Sequence, residues 1–284
     1  MFFLIDKPLG LSSFDVIRRL RKKFNIKKMG HTGTLDPLAS GILLIATENS
    51  TKLIPALEGC DKTYSFTVRL DGKTESLDLG TEVEPVDTKN YQKISDIDLI
   101  VGLENLTEQI PPKYSALHID GVRAYDLARQ GKNFEIPKRK ITIKNAEIIS
   151  QKPYEVTVRL RISSGGYIRS LAPEIGKWYD VDGGYISMLR REILHLPGGD
   201  LTLQDSFLLD EISLQNLISY KNLFPHFLHQ EITKKQKERL IQGKEIILEN
   251  LEKTQKGDIF LYHDDFVSWC KIEHRTCKIK KNNV

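Results

Sequence analysis

Between residues 64 and 70 apolar and polar side chains alternate, with Tyr64, Phe66, Val68 and Leu70 on one side and Ser65, Thr67 and Arg69 on the other. A period of two sends successive side chains to opposite faces, so this stretch predicts a half-buried strand that begins at Tyr64. Val156, Val158, Leu160 and Ile162 repeat the pattern and run into Ser163-Ser164-Gly165-Gly166. Beyond that turn Ile168, Leu171, Ile175 and Trp178 recur at helical spacing, which predicts strand, glycine turn, helix. Pro173 is compatible with that helix if it lies in the first turn, where backbone N–H groups have no intrahelical partner.

Nearer the start, Ser12 or Ser13 can cap a helix, Asp15 suits its first turn, and Ile17, Leu20 and Phe24 mark one face. A glycine-punctuated segment, 30–41, then leads into an apolar run of strand length, Ile42 to Ala46, and a short helix beginning near Ser50. After Pro225 the pattern changes to a polar helix around Thr233 to Gln242, Gly243, and strand-like pieces around Ile246, Ile259 to Tyr262 and Phe266 to Ile272. Strands and helices do not alternate as in a doubly wound sheet, and no repeat or low-complexity tract is present. The fold class expected is α+β, with a main domain over 1–225 and a small, mostly β module over 226–284.

Composition adds limits to this picture. The 284 residues, 40% of them hydrophobic, suffice for one full core and a smaller second one. No apolar run approaches the roughly 20 residues that span a bilayer, and Lys7 and Pro8 interrupt the opening before a signal-peptide core forms, so a cytoplasmic protein without membrane association is expected. Cys60, Cys270 and Cys277 are odd in number and lack paired ligand spacing, so they read as structural thiols rather than a disulfide framework or zinc site. Net charge is only +4, yet Arg18, Arg19, Arg21, Lys22, Lys23, Lys27 and Lys28 fall within eleven residues with no acid among them. Such a run is either a solvated helix face or a dock for an anionic polymer.

Asp36 sits in a turn-rich loop, after Gly30, Gly33 and Leu35 and before Pro37, which can present a carboxylate at the edge of a sheet. A carboxylate with a pKa of about 3.9 is ionised at neutral pH, and a pocket that desolvates it calls for a cationic partner, for which Arg169 is a candidate. On local grounds alone an Asp before a Pro is more often a turn residue than a nucleophile.

The segment GHTGTLDPLASGILLIAT that contains Asp36 resembles the signature of the TruB family of pseudouridine synthases. The resemblance extends to IDKPLGLSSFDVIRRLRKKF, STKL, DKTYSFTVRL, GKTESLDLGTE, the long block QIPPKYSALHIDGVRAYDLARQGKNFEIPKRKITI, SSGGYIRSLAPEIG and ISMLRRE, in that order from residue 5 to residue 192. An ordered set of this kind is far more specific than any one motif. It implies a pseudouridine synthase catalytic domain, with a mixed, largely antiparallel sheet flanked by helices, followed by a PUA-like RNA-binding module. It further implies that Asp36 is the catalytic aspartate, acting on the base, on the ribose or by promoting loss of the C2′ proton. By the same resemblance Tyr64 stacks on the target uracil and is implicated in removing its C5 proton, Tyr167 and Arg169 line the pocket, and Leu189 packs against the nucleotide. Lys52 corresponds to a pocket lysine and His31 to a histidine that holds the RNA once the base is extracted. Lys28 and the rest of the basic helix, with the 111–143 region, would grip phosphates.

The activity implied is isomerisation of uridine to pseudouridine at position 55 in the T-loop of elongator tRNAs. The T-arm of tRNA is the expected partner, no cofactor or metal is called for, and a monomer without an obligate protein partner is expected. Four positions depart from the family pattern: His118 for a usual Lys, Gly166 for a usual Thr, Glu174 for a usual Asp, and LHLPGGD after LRRE. In the C-terminal module Phe266-Val267-Ser268-Trp269 lacks expected glycines, and 12 Lys/Arg against 9 Asp/Glu give a mild basic excess. Asp264-Asp265 reads as a hairpin turn sooner than a metal site. Two other functions compete: a guide-RNA-dependent pseudouridine synthase, and a tRNA-folding chaperone without required catalysis. A third, a carboxylate hydrolase, would need a second placed acid, for which Asp78 is the candidate.

Overall fold

The structure is a computed structural model that describes residues 1–115, 117–119, 121–252, 254–282 and 284. Ala116 and Asp120 of the long 109–143 block, and Lys253 and Asn283 of the C-terminal module, lie outside the described residues.

The alternating segments form the strands Lys62–Arg69 and Glu155–Ile162, which pair antiparallel with Tyr64 opposite Leu160. They are the middle of a sheet whose order is Ile143–Lys152, Glu155–Ile162, Lys62–Arg69, Tyr185–Leu196, Ala39–Thr47, Phe2–Lys7, Phe207–Leu208. The pairings Tyr185–Leu196 with Ala39–Thr47 and Phe2–Lys7 with Phe207–Leu208 are parallel and the others along this order antiparallel, so the sheet is mixed and largely antiparallel, as expected. Tyr64, Phe66, Val68 and Leu70 enter one apolar cluster with Leu160, Ile162, Leu171 and Ile175, which seats the helix Leu171–Trp178 on that face. Pro173 occupies the third position of this helix, within its first turn.

At the other end of the sheet the apolar runs are continuous because both faces are covered. Phe3, Ile5, Leu43 and Ile45 meet Val16, Ile17 and Leu20 of the helix Ser13–Phe24, while Phe2, Leu4, Ile42 and Leu44 meet Phe224, Phe260, Val267 and Trp269. The helix starts where the sequence indicates: Ser12 is the N-cap, and its hydroxyl and the Asp15 carboxylate exchange hydrogen bonds with each other's backbone N–H in a capping box. Asn25, at φ +53°, closes it in the left-handed conformation.

The C-terminal region is a second sheet, in the order Leu228–Glu231, Lys256–His263, Phe266–Glu273, Thr276–Asn282, Ile246–Ile247, with the helix Lys234–Ile241 beside it. Asp264 and Asp265 form the two-residue turn of its central hairpin, Asp264 at φ +49°. The last strand was hidden in the sequence by its lysines; only Cys277 and Ile279 carry its apolar side. This sheet shares an apolar cluster with the large one through Phe260, Val267 and Trp269, so the two are packed together rather than strung on a linker. Cys60, Cys270 and Cys277 are all free and buried. Among the described residues no helix is long and apolar enough to cross a membrane.

Candidate active site

The loop 32–38 that carries Asp36 joins two strands of the large sheet, Met29–His31 and Ala39–Thr47. Its backbone is tied down on both sides of the carboxylate. Ser13 Oγ donates to Leu35 O at 3.1 Å and accepts from Leu35 N at 2.8 Å, Gly10 N donates to Pro37 O at 2.8 Å, and Ala39 N donates to Asp36 O at 3.0 Å. Arg191, 1% exposed, reaches across both ends: its Nε donates to Ile42 O at 2.7 Å and its Nη2 to Gly33 O at 3.2 Å. That approach requires a glycine at 41. Its φ is +105°, and a Cβ there would stand 2.1 Å from the Arg191 carbonyl oxygen.

Arg169 lies in the turn between the strand Glu155–Ile162 and the helix Leu171–Trp178, and only 5% of it is exposed. Its Nη1 donates to Ser76 O and its Nη2 to Tyr114 O, both at 2.8 Å, so the guanidinium is fixed by two backbone carbonyls. The remaining Nε faces two acids: Asp36 Oδ2 at 3.0 Å and Asp78 Oδ2 at 3.5 Å. Asp78 is buried, and its Oδ1 accepts from Ser76 Oγ at 2.6 Å and Gly80 N at 2.9 Å. Burial pushes the Asp36 carboxyl above the ordinary carboxylate range; Arg169 pulls it down and Asp78 pushes it further up, with burial the largest influence. The carboxyl is therefore partly desolvated by its pocket, with Arg169 and, more weakly, Lys7 favouring its charged form.

Asp36 opens into a cavity of about 310 Å³, in the size range of small-molecule sites, whose wall includes Tyr64, Tyr167, Arg169, Leu189 and Ser115. Tyr64 and Leu189 come from neighbouring strands: Leu189 pairs with Phe66, one side-chain step along the same face from Tyr64. Tyr167 is held by Gln109, whose side-chain amide accepts from Tyr167 N and donates to Tyr167 O at 3.2 Å, in the manner of a paired strand. Burial raises the pKa of its phenol and keeps it protonated. Gly166 does not leave slack before Tyr167: a Cβ there would fall 2.4 Å from Ile162 Cδ1, so the isoleucine side chain fills the space of the missing one.

Asp36, Tyr64, Tyr167, Arg169 and Leu189 thus converge on one cavity. The other residues singled out from the sequence lie elsewhere. His31 is at the root of the loop, its Nδ1 accepting from Gly33 N at 3.3 Å, and burial and then Arg191 lower its pKa, which favours the neutral ring. Lys52 is not part of the cavity wall; its Nζ donates to Asn282 O of the C-terminal sheet at 2.6 Å. Lys28 is exposed beyond the basic helix. Two residues of the site had no clear mark in the sequence, Arg191 in LRRE and Lys62, which lines the cavity two residues before Tyr64; Asp78, weighed there only as the second acid of a hydrolase, shares Arg169 with Asp36. The period-two pattern was the available signal for Lys62, since positions 62 and 64 share a face.

Residues 21–168 match the sequence profile of the TruB family pseudouridylate synthase N-terminal domain. Over 92% of its length the chain is 35% identical to a tRNA pseudouridine synthase B of Aquifex aeolicus, covering 91% of that protein. It is 31% identical to the protein of that name from Mycoplasma mycoides, over 99% of this chain and 96% of the other. Among solved structures, a chain of a Cbf5-Nop10-Gar1 complex superposes with a TM-score of 0.68 at 20% identity, covering all of this chain and 84% of its own. The sheet, its flanking helices and the strand-rich C-terminal region are thus the fold of the pseudouridine synthases, which are isomerases. The chain belongs to the TruB family of these enzymes.

Proposed function

We propose that the protein isomerises uridine 55 in the T-loop of elongator tRNAs, with Asp36 as the catalytic carboxylate acting on a nucleotide flipped out of the RNA. The observation that carries this reading is the Asp36–Arg169 ion pair at 3.0 Å, at the wall of a cavity that Tyr64 and Leu189 also line. The reaction breaks N1–C1′ and forms C5–C1′; the C5 proton leaves and N1 regains one, so no electron or external group is exchanged. An ionised carboxylate beside C1′ can initiate this by attack on the base or the ribose, or by promoting loss of the C2′ proton. Extracting a stacked uridine costs a few kcal/mol, and stacking on Tyr64, at roughly 1–3 kcal/mol per base, offsets much of it. Tyr64 is then placed to assist departure of the C5 proton, while Tyr167 packs at the wall beside Arg169. His31, at the root of the Asp36 loop, and Lys52, bridged to the C-terminal sheet, would contact the displaced RNA backbone together with Lys28 and the basic helix. The module over 226–284 would bind the same RNA, and the chain would act alone, as a monomer, without a guide RNA. The similarity to complete tRNA pseudouridine synthase B sequences supports this over a guide-dependent reading.

Mapping the modified nucleotide tests the assignment. An unmodified elongator tRNA transcript incubated with the purified protein should gain one pseudouridine, at position 55, by carbodiimide labelling and primer extension; a transcript with cytidine there should gain none. Modification at another position, undiminished by that replacement, would overturn the T-loop assignment.

The pH dependence is a second expected outcome. Asp36 binds its proton more tightly in the folded protein than in the unfolded chain, so the stability it contributes is fully present below the unfolded carboxylate pKa, near 3.8, and is lost as pH rises through the folded value. Activity runs the opposite way, since the ionised form is required. The acid limb of the single-turnover rate should therefore lie above 3.8, and Asp78→Asn should move it to lower pH by removing a like charge. A limb at or below 3.8 in the native protein would contradict the desolvated carboxylate.

A further inference from the structure

The cavity has a cationic part that the chemistry at Asp36 does not use. Along the face shared by the strands Lys62–Arg69 and Tyr185–Leu196 the paired positions run Phe66–Leu189, then Tyr64–Arg191, and Lys62 follows as the next side chain on the same side. Lys62 and Arg191 both line the cavity, and both flank Gly33: an ideal Cβ on that glycine would be 3.6 Å from Lys62 Cε and 3.5 Å from Arg191 Nη1. Neither cation has a carboxylate within ion-pair distance among the described residues. Among the described residues Lys62 Nζ donates only to Cys60 O, at 2.6 Å, and Arg191 only to the carbonyls of Ile42 and Gly33. Of the acids in electrostatic range of Lys62, Asp61 is held by Arg161 at 2.8 Å and Lys144 at 3.6 Å, and Glu58 is exposed at the cavity wall. Burial, and then the like charge of Arg191, lower Lys62 to about 8. Two neighbouring cations on a concave wall, with no carboxylate within ion-pair distance of either, are stabilised by a bound anion.

We propose that Lys62, backed by Arg191, is the binding site for a phosphodiester flanking the flipped nucleotide. A strand advances about 3.3 Å per residue, so Lys62 stands about 7 Å from Tyr64 along the chain, a separation that matches the reach from a stacked base to its own backbone. The site sets register: it holds the backbone while Tyr64 and Leu189 hold the base, so only a nucleotide with its sugar at Asp36 satisfies both. This rests on the proposed reaction at Asp36.

The test is a coupling measurement between protein and RNA. T-arm RNAs are made with a neutral methylphosphonate at the linkage 5′ or 3′ of the target uridine, and half-saturating concentration and plateau rate are measured under single-turnover conditions for the native chain, Lys62→Met and Lys62→Arg. Lys62→Met should raise the half-saturating concentration about tenfold with the plateau rate within about twofold, and reduce the salt slope by about one. Lys62→Arg should restore binding. At one of the two linkages the neutral substitution should weaken the native chain about tenfold and Lys62→Met less than twofold. Should Lys62→Met fold poorly, Lys62→Gln takes its place. Independent, multiplying losses at both linkages, or no loss for the native chain at either, would overturn the phosphate site. If the native chain instead turns over no unsubstituted RNA, the proposed reaction fails, which is a distinguishable result.

Discussion

The Asp36→Asn protein is expected to bind unmodified tRNA with near-native affinity and to show a turnover rate lower by about 10³-fold or more. The substitution keeps the shape of the side chain, and the backbone of the loop is held by Ser13, Gly10 and Arg191 independently of the carboxylate. What is lost is the negative charge proposed to start the reaction. Binding draws on surfaces far larger than one carboxylate, so affinity and rate should separate. Filter binding and single-turnover rates on the same transcript measure the two. Lost binding with residual turnover would assign Asp36 a structural role instead.

Arg169→Met is expected to fail differently, in both stability and rate. Arg169 is 5% exposed and joins four partners: the carbonyls of Ser76 and Tyr114 and the carboxylates of Asp36 and Asp78. Methionine fills much of the volume but leaves two carboxylates in a partly desolvated pocket with no cation between them. Breaking a buried pair by removing one member costs about 3–5 kcal/mol, and here the loss extends to two acids. One of them should take up a proton at neutral pH, which removes the reactive form of Asp36 and lowers turnover by at least about 100-fold. Urea denaturation and single-turnover kinetics read the two effects. The variant should regain stability as the pH falls and the carboxylates protonate. An Arg169→Met protein with native stability and native rate would show that the pair has no role in holding Asp36.

The contrast between these variants follows from what the sequence made visible. The strand beginning at Tyr64, the turn and helix around Arg169, and the cap at Ser12 were legible because each rests on contacts between near neighbours in the chain: alternation, helical spacing, a hydroxyl three residues before a carboxylate. The convergence of Asp36 on Arg169 was legible only through the ordered family blocks, since the two lie 133 positions apart in the sequence. Arg191 was not legible as a site residue, because the carbonyls it holds, of Ile42 and Gly33, are brought in by tertiary packing, and for the same reason Asp78, a candidate acid in the sequence, could not be seen to share Arg169 with Asp36. Lys52 illustrates the limit of a motif. Its block is in place, yet the lysine reaches to Asn282 of the C-terminal sheet, a contact no local pattern encodes. The departure at Gly166 also changed meaning in three dimensions, because Ile162 occupies the space that a threonine side chain would take.

The proposed reaction requires that this chain alone convert uridine to pseudouridine in tRNA through Asp36. Release of tritium from an unmodified tRNA transcript carrying [5-³H]uridine, incubated with the purified native protein and with no other protein, guide RNA or cofactor, measures it most directly. Release should plateau at one equivalent per tRNA; no release from a folded native protein that binds the transcript would contradict a stand-alone synthase acting through Asp36.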